Sequence, residues 1–365
     1  MTRTPVAAWL VLAACGPGPA PLPQPTASPR AAATAPRVMD AEASEPGTGE
    51  LDTKLSRGDG SPGDAALARG DADYEAGNYN SAEAAFTRAA ELAPEDAAPL
   101  VGIARSRLAK ARVPEGVNAA PDSEAALAAA GLLRRAIELD PNHALAQRER
   151  GRVLLILGRL ERALGPLEAA ARLAPGDAEV QSALGLALLL NGQGDRAVEA
   201  LAEAVELDPE SPDRHSNLGT ALIQLGRVVD AIVAYDRAVT LAPNGAKHHN
   251  NLGTAYLQEG DLKSARPRLE QAVKLAPKRA TYRNNLGFCL EADGETQAAL
   301  AAYTTATELD PGLASAWINL GNLRAKGKDT KGARKALERA EAIDPNDPRV
   351  QTSLQELDAL ERARP

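Results

Sequence analysis

A series of evenly spaced prolines constrains the fold of this chain more than any other feature. They stand at positions 141, 175, 209, 243, 277, 311 and 345, always 34 residues apart, and each follows a Leu-Asp, Leu-Ala or Ile-Asp pair. Pro94 belongs to the same series, one period plus 13 residues before Pro141. A fixed period of this length is typical of a solenoid built from stacked repeats.

Other columns repeat with the same period over residues 63–347. When the closing proline is position 32 of a 34-residue unit, eight units align, with alanine always at positions 20 and 27 and glycine at position 8 in seven units. These small residues let two helices approach closely, and we expect the large residue at position 24 to fill the space between units. Glycine at position 15 suits the left-handed residue that ends a helix, and the proline stops the second helix.

These columns resemble the tetratricopeptide repeat, whose pattern is Trp-x2-Leu-Gly-x2-Tyr, then Ala, a large residue, Ala and Pro. Three departures stand out: Trp317 alone keeps the tryptophan at position 4, the second unit has an inserted loop near 112–122, and the last unit has Gly327 one place early. The resemblance implies an all-α fold, an α-solenoid (superhelix) of eight helical hairpins. Residues 348–365 add a capping helix and tail, whose polar outer face a solenoid end requires.

The first 14 residues have the pattern of a secretory signal peptide. Arg3 precedes an apolar run that is too short to span a bilayer. The run ends in Leu12-Ala13-Ala14-Cys15, which resembles the bacterial lipobox and implies that Cys15 carries the lipid anchor. Gly16 is compatible with sorting to the outer membrane. We therefore expect a lipid-anchored chain in a bacterial cell envelope, facing the periplasm; an incidental cysteine in a cytoplasmic protein is the alternative.

Residues 15–62 join the expected anchor to the repeats. They are rich in proline, alanine, serine and glycine and have almost no apolar periodicity, so they cannot bury enough surface to offset the entropy of ordering. We expect a disordered linker that holds the repeats away from a membrane. Its reach is between about 40 and 150 Å, and Ser61-Pro62 supplies an N-cap and first-turn proline for the first helix.

Composition and motifs indicate a binding protein rather than an enzyme. The net charge is −8 with mixed signs, which does not favour a nucleic-acid partner, and no phosphate-binding or nucleophile motif is present. His215 and His249 occupy position 4, a packing position of the family, and Cys289 lies among apolar neighbours. We expect no catalytic residue, metal or cofactor, and no catalytic domain beside the repeats.

One stripe of each first helix is the candidate binding groove. Positions 2, 5, 6, 9 and 13 point away from the packing positions at about 100° per residue, and in the family this stripe lines the concave groove. In units three and four it carries Leu145, Ile156, Leu186 and Leu190 beside Arg148, Glu149 and Arg152. In units five to eight it carries Asn217, Asn250, Asn251, Asn284, Asn285, Asn319, Asn322, Thr220, Thr254, Gln224, Gln258 and Lys247.

The asparagine column allows two interpretations. A carboxamide both donates and accepts hydrogen bonds, so a row of them can pair with the backbone of an extended peptide, and the column resembles the ladder of peptide-binding family members. Alternatively, the asparagines are neutral residues copied by repeat duplication, or they bond the backbone of the neighbouring unit for structure. Under the first interpretation, alanine at Asn217, Asn251, Asn285 and Asn319 abolishes partner binding with little change in melting.

The sequence therefore predicts a non-catalytic protein–protein interaction scaffold. It would bind an extended peptide or an envelope subunit, by analogy with lipid-anchored pilus pilotins that assist secretin assembly or with adaptors for cell-wall enzymes. A cytosolic adaptor and a substrate-delivery module for a separate glycosyltransferase-type enzyme are the alternatives. The oligomeric state stays open.

Overall fold

The computed structural model describes residues 51–362, and within that range it contains seventeen helices and no strand. The signal-peptide region, Cys15 and most of the predicted linker lie outside the described residues. The helices are α1 Pro62–Glu75, α2 Tyr79–Leu92, α3 Ala98–Lys110, α4 Glu124–Leu139, α5 Ala144–Ile156, α6 Leu160–Leu173, α7 Ala178–Leu190, α8 Gly194–Leu207, α9 Pro212–Gln224, α10 Val228–Leu241, α11 Ala246–Glu259, α12 Leu262–Leu275, α13 Ala280–Ala292, α14 Thr296–Leu309, α15 Ala314–Lys326, α16 Thr330–Ile343 and α17 Pro348–Arg362.

The helices pair into eight hairpins, followed by α17. Odd-numbered helices contact one another from unit to unit, whereas the even-numbered helices α2 to α16 do not contact each other. The stack therefore curves towards the odd-numbered helices, and their outward stripe forms its concave face. This arrangement confirms the predicted all-α solenoid, and α17 packs on α15 and α16 at the end of the described stack.

Position 8 and position 24 form the central contact of each unit. A Cβ atom on the position-8 glycines of seven units would lie only 2.4–2.7 Å from the position-24 side chain of the same unit. The close approach excludes any larger residue there. Position 24 therefore packs closely against the first helix of its own hairpin. It also packs towards the next unit, as the sequence predicts: Phe86 lies against Gly102, and Tyr235 and Tyr303 belong to the same hydrophobic clusters as Leu252 and Leu320.

Left-handed residues end the first helix of most hairpins. The position-15 glycines have φ between 68° and 84°, as the sequence predicts. In the last unit Gly327 keeps φ −77° and Lys328 takes the left-handed conformation with φ 64°. The position in the repeat, not the glycine, decides which residue is left-handed.

The inserted loop of the second unit lies between α3 and α4 and contacts the end of α5. The backbone N–H of Asn118 donates to the carbonyl of Leu155 at 2.9 Å, and that of Ala120 donates to Ile156 at 3.2 Å. These two carbonyls belong to the last turn of α5, where a helix has no internal donors for them. The insertion thus caps its neighbouring unit.

The end of the predicted linker differs from the expectation of disorder. Residues 51–58 form an extended segment, here called the strap, that lies against the odd-numbered helices. Its Leu55 is only 4% exposed, and its backbone is held by side chains of α1, α3 and α7. The composition of the linker is that of a disordered segment, but buried Leu55 and half-buried Leu51 fix the strap to the repeats, while most of its other residues are exposed.

No helix within residues 51–362 combines the length and the apolar character that crossing a bilayer requires.

Candidate functional site

The concave face has two halves with different surfaces. The N-terminal concave face consists of the outward stripes of α1, α3, α5 and α7, and the C-terminal concave face consists of those of α9, α11, α13 and α15. Residue 51 of the strap reaches the start of α7. The C-terminal concave face carries most of the residues that the sequence assigns to the groove.

The asparagines of the C-terminal concave face are bonded to each other across units. Three of its four position-6 amides donate to position 5 of the preceding unit, from Asn251 to Ser216 Oγ at 3.1 Å, from Asn285 to Asn250 Oδ1 at 2.9 Å and from Asn319 to Asn284 Oδ1 at 2.9 Å. We call this row the asparagine ladder. The asparagines thus bond the neighbouring unit, but they bond its side chains and not its backbone. Because of these bonds we expect alanine variants to lose some stability, whereas the sequence interpretation expected normal melting.

The two columns of the ladder differ in exposure. The position-5 asparagines, Asn250 and Asn284, are buried, whereas the position-6 residues Asn251, Asn285 and Asn319 are half-buried. A carboxamide has two N–H donors and an acceptor oxygen, and each inter-unit bond occupies one donor of a position-6 residue. The position-6 column therefore keeps hydrogen-bonding capacity on the concave side, and position 5 is structural.

Other predicted groove residues divide in the same way. Thr220 is buried and pairs with Ser216 O and the Tyr235 hydroxyl, both at 3.0 Å, so it stabilises its own hairpin. Lys247 forms an ion pair with Asp213. Asn217, Thr254 and Asn322 are half-buried, and Gln224 and Gln258 are exposed, so these five remain available to a ligand.

Phe288 is an aromatic residue of the C-terminal concave face that the groove prediction missed. It occupies position 9 of α13 and is 41% exposed. Position 9 faces the groove elsewhere, because Asp71 and Arg105 at this position contact the strap. The visible signal was an aromatic residue at a groove position whose neighbours along the stack are Thr254 and Asn322.

A buried charge cluster occupies the N-terminal concave face at α5. Glu149 accepts hydrogen bonds from Arg148 at 2.8 Å and from Arg152 at 3.0 Å, and Arg152 also pairs with Glu115 of the inserted loop at 3.4 Å. Burial by itself raises the pKa of a carboxyl group, but Arg152, Arg148 and Arg105 outweigh it and lower the pKa of Glu149 to about 2. These groove residues therefore pair mainly with one another, and within residues 51–362 only Nε of Arg152 among their buried nitrogen and oxygen atoms has no hydrogen-bond partner.

A small cleft joins the two halves between α7 and α9. Its volume is about 140 Å³, and Arg152, Leu186, Arg214 and Asn217 are among its lining residues. Arg214 is held there by the hydroxyl of Ser182 at 2.7 Å. Leu186 thus lines the groove as predicted. Leu190 instead lines an outer crevice beside α4 and α6, and Leu145 and Ile156 are core residues.

Position 4 has one structural task despite its variable residue type. Its side chain pairs through a nitrogen with the carbonyl of the closing proline six residues earlier. The seven examples are Gln147, Gln181, His215, His249, Arg283, Trp317 and Gln351, at 2.9–3.4 Å from that oxygen. The common property is an N–H donor, which the sequence shows once the residues are compared by chemistry instead of size.

The candidate chemical groups are structural in the described part of the chain. His215 and His249 serve position 4, and residues 51–362 hold no cluster of three His, Cys, Asp or Glu side chains placed for a metal. Burial raises the pKa of the Cys289 thiol, which keeps it protonated and unreactive. Burial, with the nearby Lys247, lowers the pKa of His248 to about 4.

Comparisons with known proteins agree with this geometry. The tetratricopeptide repeat models match residues 67–126, 122–178, 182–246, 250–314 and 290–357. The chain therefore belongs to the tetratricopeptide repeat family. Its fold and family are those of a protein–protein interaction scaffold, a class that is generally non-catalytic.

Solved structures with this fold include two that align over most of the repeat region. A chain of the APC/C hetero-tetramer Cut9–Hcn1 aligns with a TM-score of 0.57 and 18% identity over 80% of this chain; the match spans 55% of that chain, about half its length. PilF of Pseudomonas aeruginosa aligns with a TM-score of 0.50 and 21% identity, over 60% of this chain and 98% of that one. At these identities the likeness concerns the fold alone. No curated protein matches the sequence significantly.

Proposed function

We propose that this chain is a non-catalytic scaffold that binds an extended segment of a partner protein on the C-terminal concave face. The observation that carries the proposal is the exposed Phe288 beside the half-buried position-6 column of the asparagine ladder. An aromatic anchor with amides around it is the arrangement that peptide recognition uses: apolar burial gives affinity, and amides satisfy the ligand backbone.

The existing hydrogen bonds support a pre-formed site. The bonds from Asn285 to Asn250 and from Asn319 to Asn284 hold the amides in fixed positions before a ligand arrives. Ordering these side chains therefore costs little on binding, and a pre-organised surface binds more tightly than a flexible one. Because the amides contact backbone groups, specificity would come from the residue that covers Phe288.

Site-directed crosslinking in the native host tests this proposal. Phe288 is replaced by p-benzoylphenylalanine, and Val233 of α10, an exposed apolar residue of an even-numbered helix, is replaced in a matched control. We expect a defined partner crosslinked at 288 and not at 233. With the partner identified, Phe288→Ala should weaken binding at least tenfold, or by about 1.4 kcal/mol. Equal crosslinking at both positions, or undiminished binding by the alanine variant, would refute the C-terminal concave face as the site.

We also propose that the chain is anchored by lipid at Cys15 and acts at a bacterial envelope membrane, with the outer membrane favoured. The support is the Leu-Ala-Ala-Cys motif after a short apolar run. Between Cys15 and the strap the chain can span at most about 110 Å at ~3.1 Å per residue. Pilus, secretin or cell-wall assembly proteins are the partners that this location suggests.

Cell fractionation and mass spectrometry of the N-terminal peptide test the anchor. The wild type should sediment with membranes and carry two or more acyl chains, and Cys15→Ser should be released. Cys289→Ser changes the buried cysteine and is the matched control that should stay on the membrane. If the wild type is unacylated and remains with cytosolic proteins, the anchor is excluded and a cytosolic adaptor is favoured.

A further inference from the structure

The strap, residues 51–58, runs along the N-terminal concave face as an extended peptide would. The amide of Leu51 donates to Asp177 at the start of α7 at 2.8 Å, and the carbonyl of Thr53 accepts from Arg105 of α3 at 2.8 Å. Its far end reaches α1. The strap therefore contacts the first helices of the first two units and the start of the first helix of the fourth.

Two carboxylates of α1 bind the strap through its backbone. Asp71 Oδ2 accepts from the amides of Leu55 and Ser56 and from the Ser56 hydroxyl, all at 2.9 Å. Asp64 accepts from the amides of Arg57 at 2.5 Å and Gly58 at 2.9 Å. Four of these five bonds go to backbone groups, so they require an extended chain but not a particular side chain.

The selective contacts of the strap are those of its leucines. Leu55 is 4% exposed within the same cluster as Leu67 and Val101, and Leu51 packs against that cluster. Fully burying a leucine stabilises by about 1.5–3 kcal/mol. The intervening residues Asp52, Thr53 and Lys54 are exposed. The face therefore favours a peptide that has leucine at the positions of Leu51 and Leu55, any three residues between them, and serine after the second leucine.

The strap supplies the donors that two buried carboxylates need. With the strap in place Asp64 and Asp71 are only 7% and 8% exposed, and within residues 51–362 neither has a salt-bridge partner. A buried charge without donors is costly, and when the strap leaves, water reaches both carboxylates in place of its amides. A peptide with the same pattern can supply the same donors, whether it belongs to this chain or to another.

The connection to α1 allows exchange. Residues 57–62 are exposed, and Gly58 and Gly60 have φ of 72° and 77°. The strap can leave through this short glycine-containing link without disturbing α1. Since a tethered ligand acts at an effective concentration in the millimolar range, it competes strongly with any free peptide.

We propose that the N-terminal concave face is a second peptide site, which the chain fills with its own residues 51–58. An extended segment of a partner protein with the pattern of Leu51, Leu55 and Ser56 displaces the strap. This site is separate from the C-terminal concave face and does not depend on it.

Peptide binding to the full chain tests this proposal. A fluorescein-labelled peptide with the sequence of residues 51–58 is titrated with the wild type or with Leu55→Asp, and binding is followed by fluorescence anisotropy. The Leu55→Asp substitution should displace the strap while leaving the residues of the face unchanged. We expect at least tenfold tighter binding by Leu55→Asp than by the wild type. Adding Asp71→Ala to Leu55→Asp should abolish binding, whereas adding Asn285→Ala should not, which separates this site from the C-terminal one. A peptide with aspartate in place of its second leucine is the negative control.

Absence of peptide binding by a folded Leu55→Asp variant, with normal helicity and a protease-accessible strap, would overturn the proposal and make the strap a purely structural segment. If that variant does not fold, a protease site inserted at the exposed Asp59 keeps every other residue. After cleavage the N-terminal fragment should stay bound in gel filtration and be released by excess peptide. A fragment that excess peptide cannot exchange would equally overturn the proposal.

Discussion

The two halves of the concave face are built on the same helical register but present different chemistry. At position 6 the N-terminal half has Glu149 in a buried cluster of charges, whereas the C-terminal half has Asn251, Asn285 and Asn319 in a half-buried ladder. The first half is filled by the strap, and the second leaves Phe288 exposed. The same helical arrangement thus supports one surface that carries the strap and one that is open to solvent.

The difference teaches that groove position alone does not define a binding residue. Ion pairs engage the charges of Glu149, Arg148 and Arg152 with one another, whereas a single inter-unit bond leaves a carboxamide with further hydrogen-bonding capacity on the concave side. Binding on this scaffold therefore depends on how much hydrogen-bonding capacity each polar side chain keeps after the repeats have stacked.

The largest effect is expected from Glu149→Ala. It leaves the cations of Arg148 and Arg152 buried without their partner, and breaking such a cluster costs about 3–5 kcal/mol. Because each repeat contacts chiefly its neighbours, hydrogen exchange measured by mass spectrometry should show faster exchange in α3 to α7 and little change in α11 to α15.

Asn251→Ala, at the same position of the other half, is the matched control and should cost about 1 kcal/mol. Similar losses of stability for both variants would show that the buried charge of Glu149 matters no more to its half than the amide of Asn251 does to the other.

A pH dependence that arises from Glu149 of the N-terminal half is the second prediction. The pKa of Glu149 is about 2 in the folded chain and ordinarily 4.5, so its stabilisation is complete above about pH 4.5 and is lost as pH falls through about 2. The shift corresponds to roughly 3 kcal/mol. Denaturant unfolding of the wild type and Glu149→Gln should therefore differ most near neutral pH and converge towards pH 2.

A difference between these two proteins that stays constant down to pH 2 would contradict the low pKa of Glu149. Asn251→Ala should show no such convergence, because the ladder contains no ionisable group.

The smallest effect concerns the ladder itself. Asn285→Ala and Asn319→Ala each remove one inter-unit hydrogen bond and should lower the stability of the C-terminal half by about 1 kcal/mol. Asn217→Ala is the control, because the structure of residues 51–362 contains no hydrogen bond from that side chain. Thermal melting and hydrogen exchange of α11 to α15 measure the effect, and equal melting of all three variants would show that the ladder is not structural.

Much of the fold could be predicted because it depends on local chemistry repeated at a fixed interval. Helix ends are indicated by the closing prolines and the position-15 glycines. Close contacts are indicated by the large residues of position 24, which face the glycines of position 8. The inserted loop and the last helix were also visible, as a break in the period and as an extra amphipathic segment.

The candidate site was only half visible in the sequence. Repetition of asparagine marked the C-terminal concave face, but the donor at Asn285 and its acceptor at Asn250 are 35 residues apart, and such a pairing needs the helices in place. Thr220 and Lys247 matched the groove register yet bond to Tyr235 and Asp213. The strap was missed because its composition is that of a linker, and its stability comes from carboxylates on a distant helix face.

The sequence by itself determined the repeat, the hairpins and the direction in which each helix turns its small and large residues. These follow from steric limits within a few residues of each other and recur in every unit. The tertiary structure decided which polar groups stay free: whether a carboxylate meets arginines, whether an amide bonds its neighbour, and whether a groove is empty or holds the strap. Some of those pairings lie within one helix, as between Glu149 and Arg152, and others join different units, as between Asn285 and Asn250. The energy of each is set only when stacking removes water from around it.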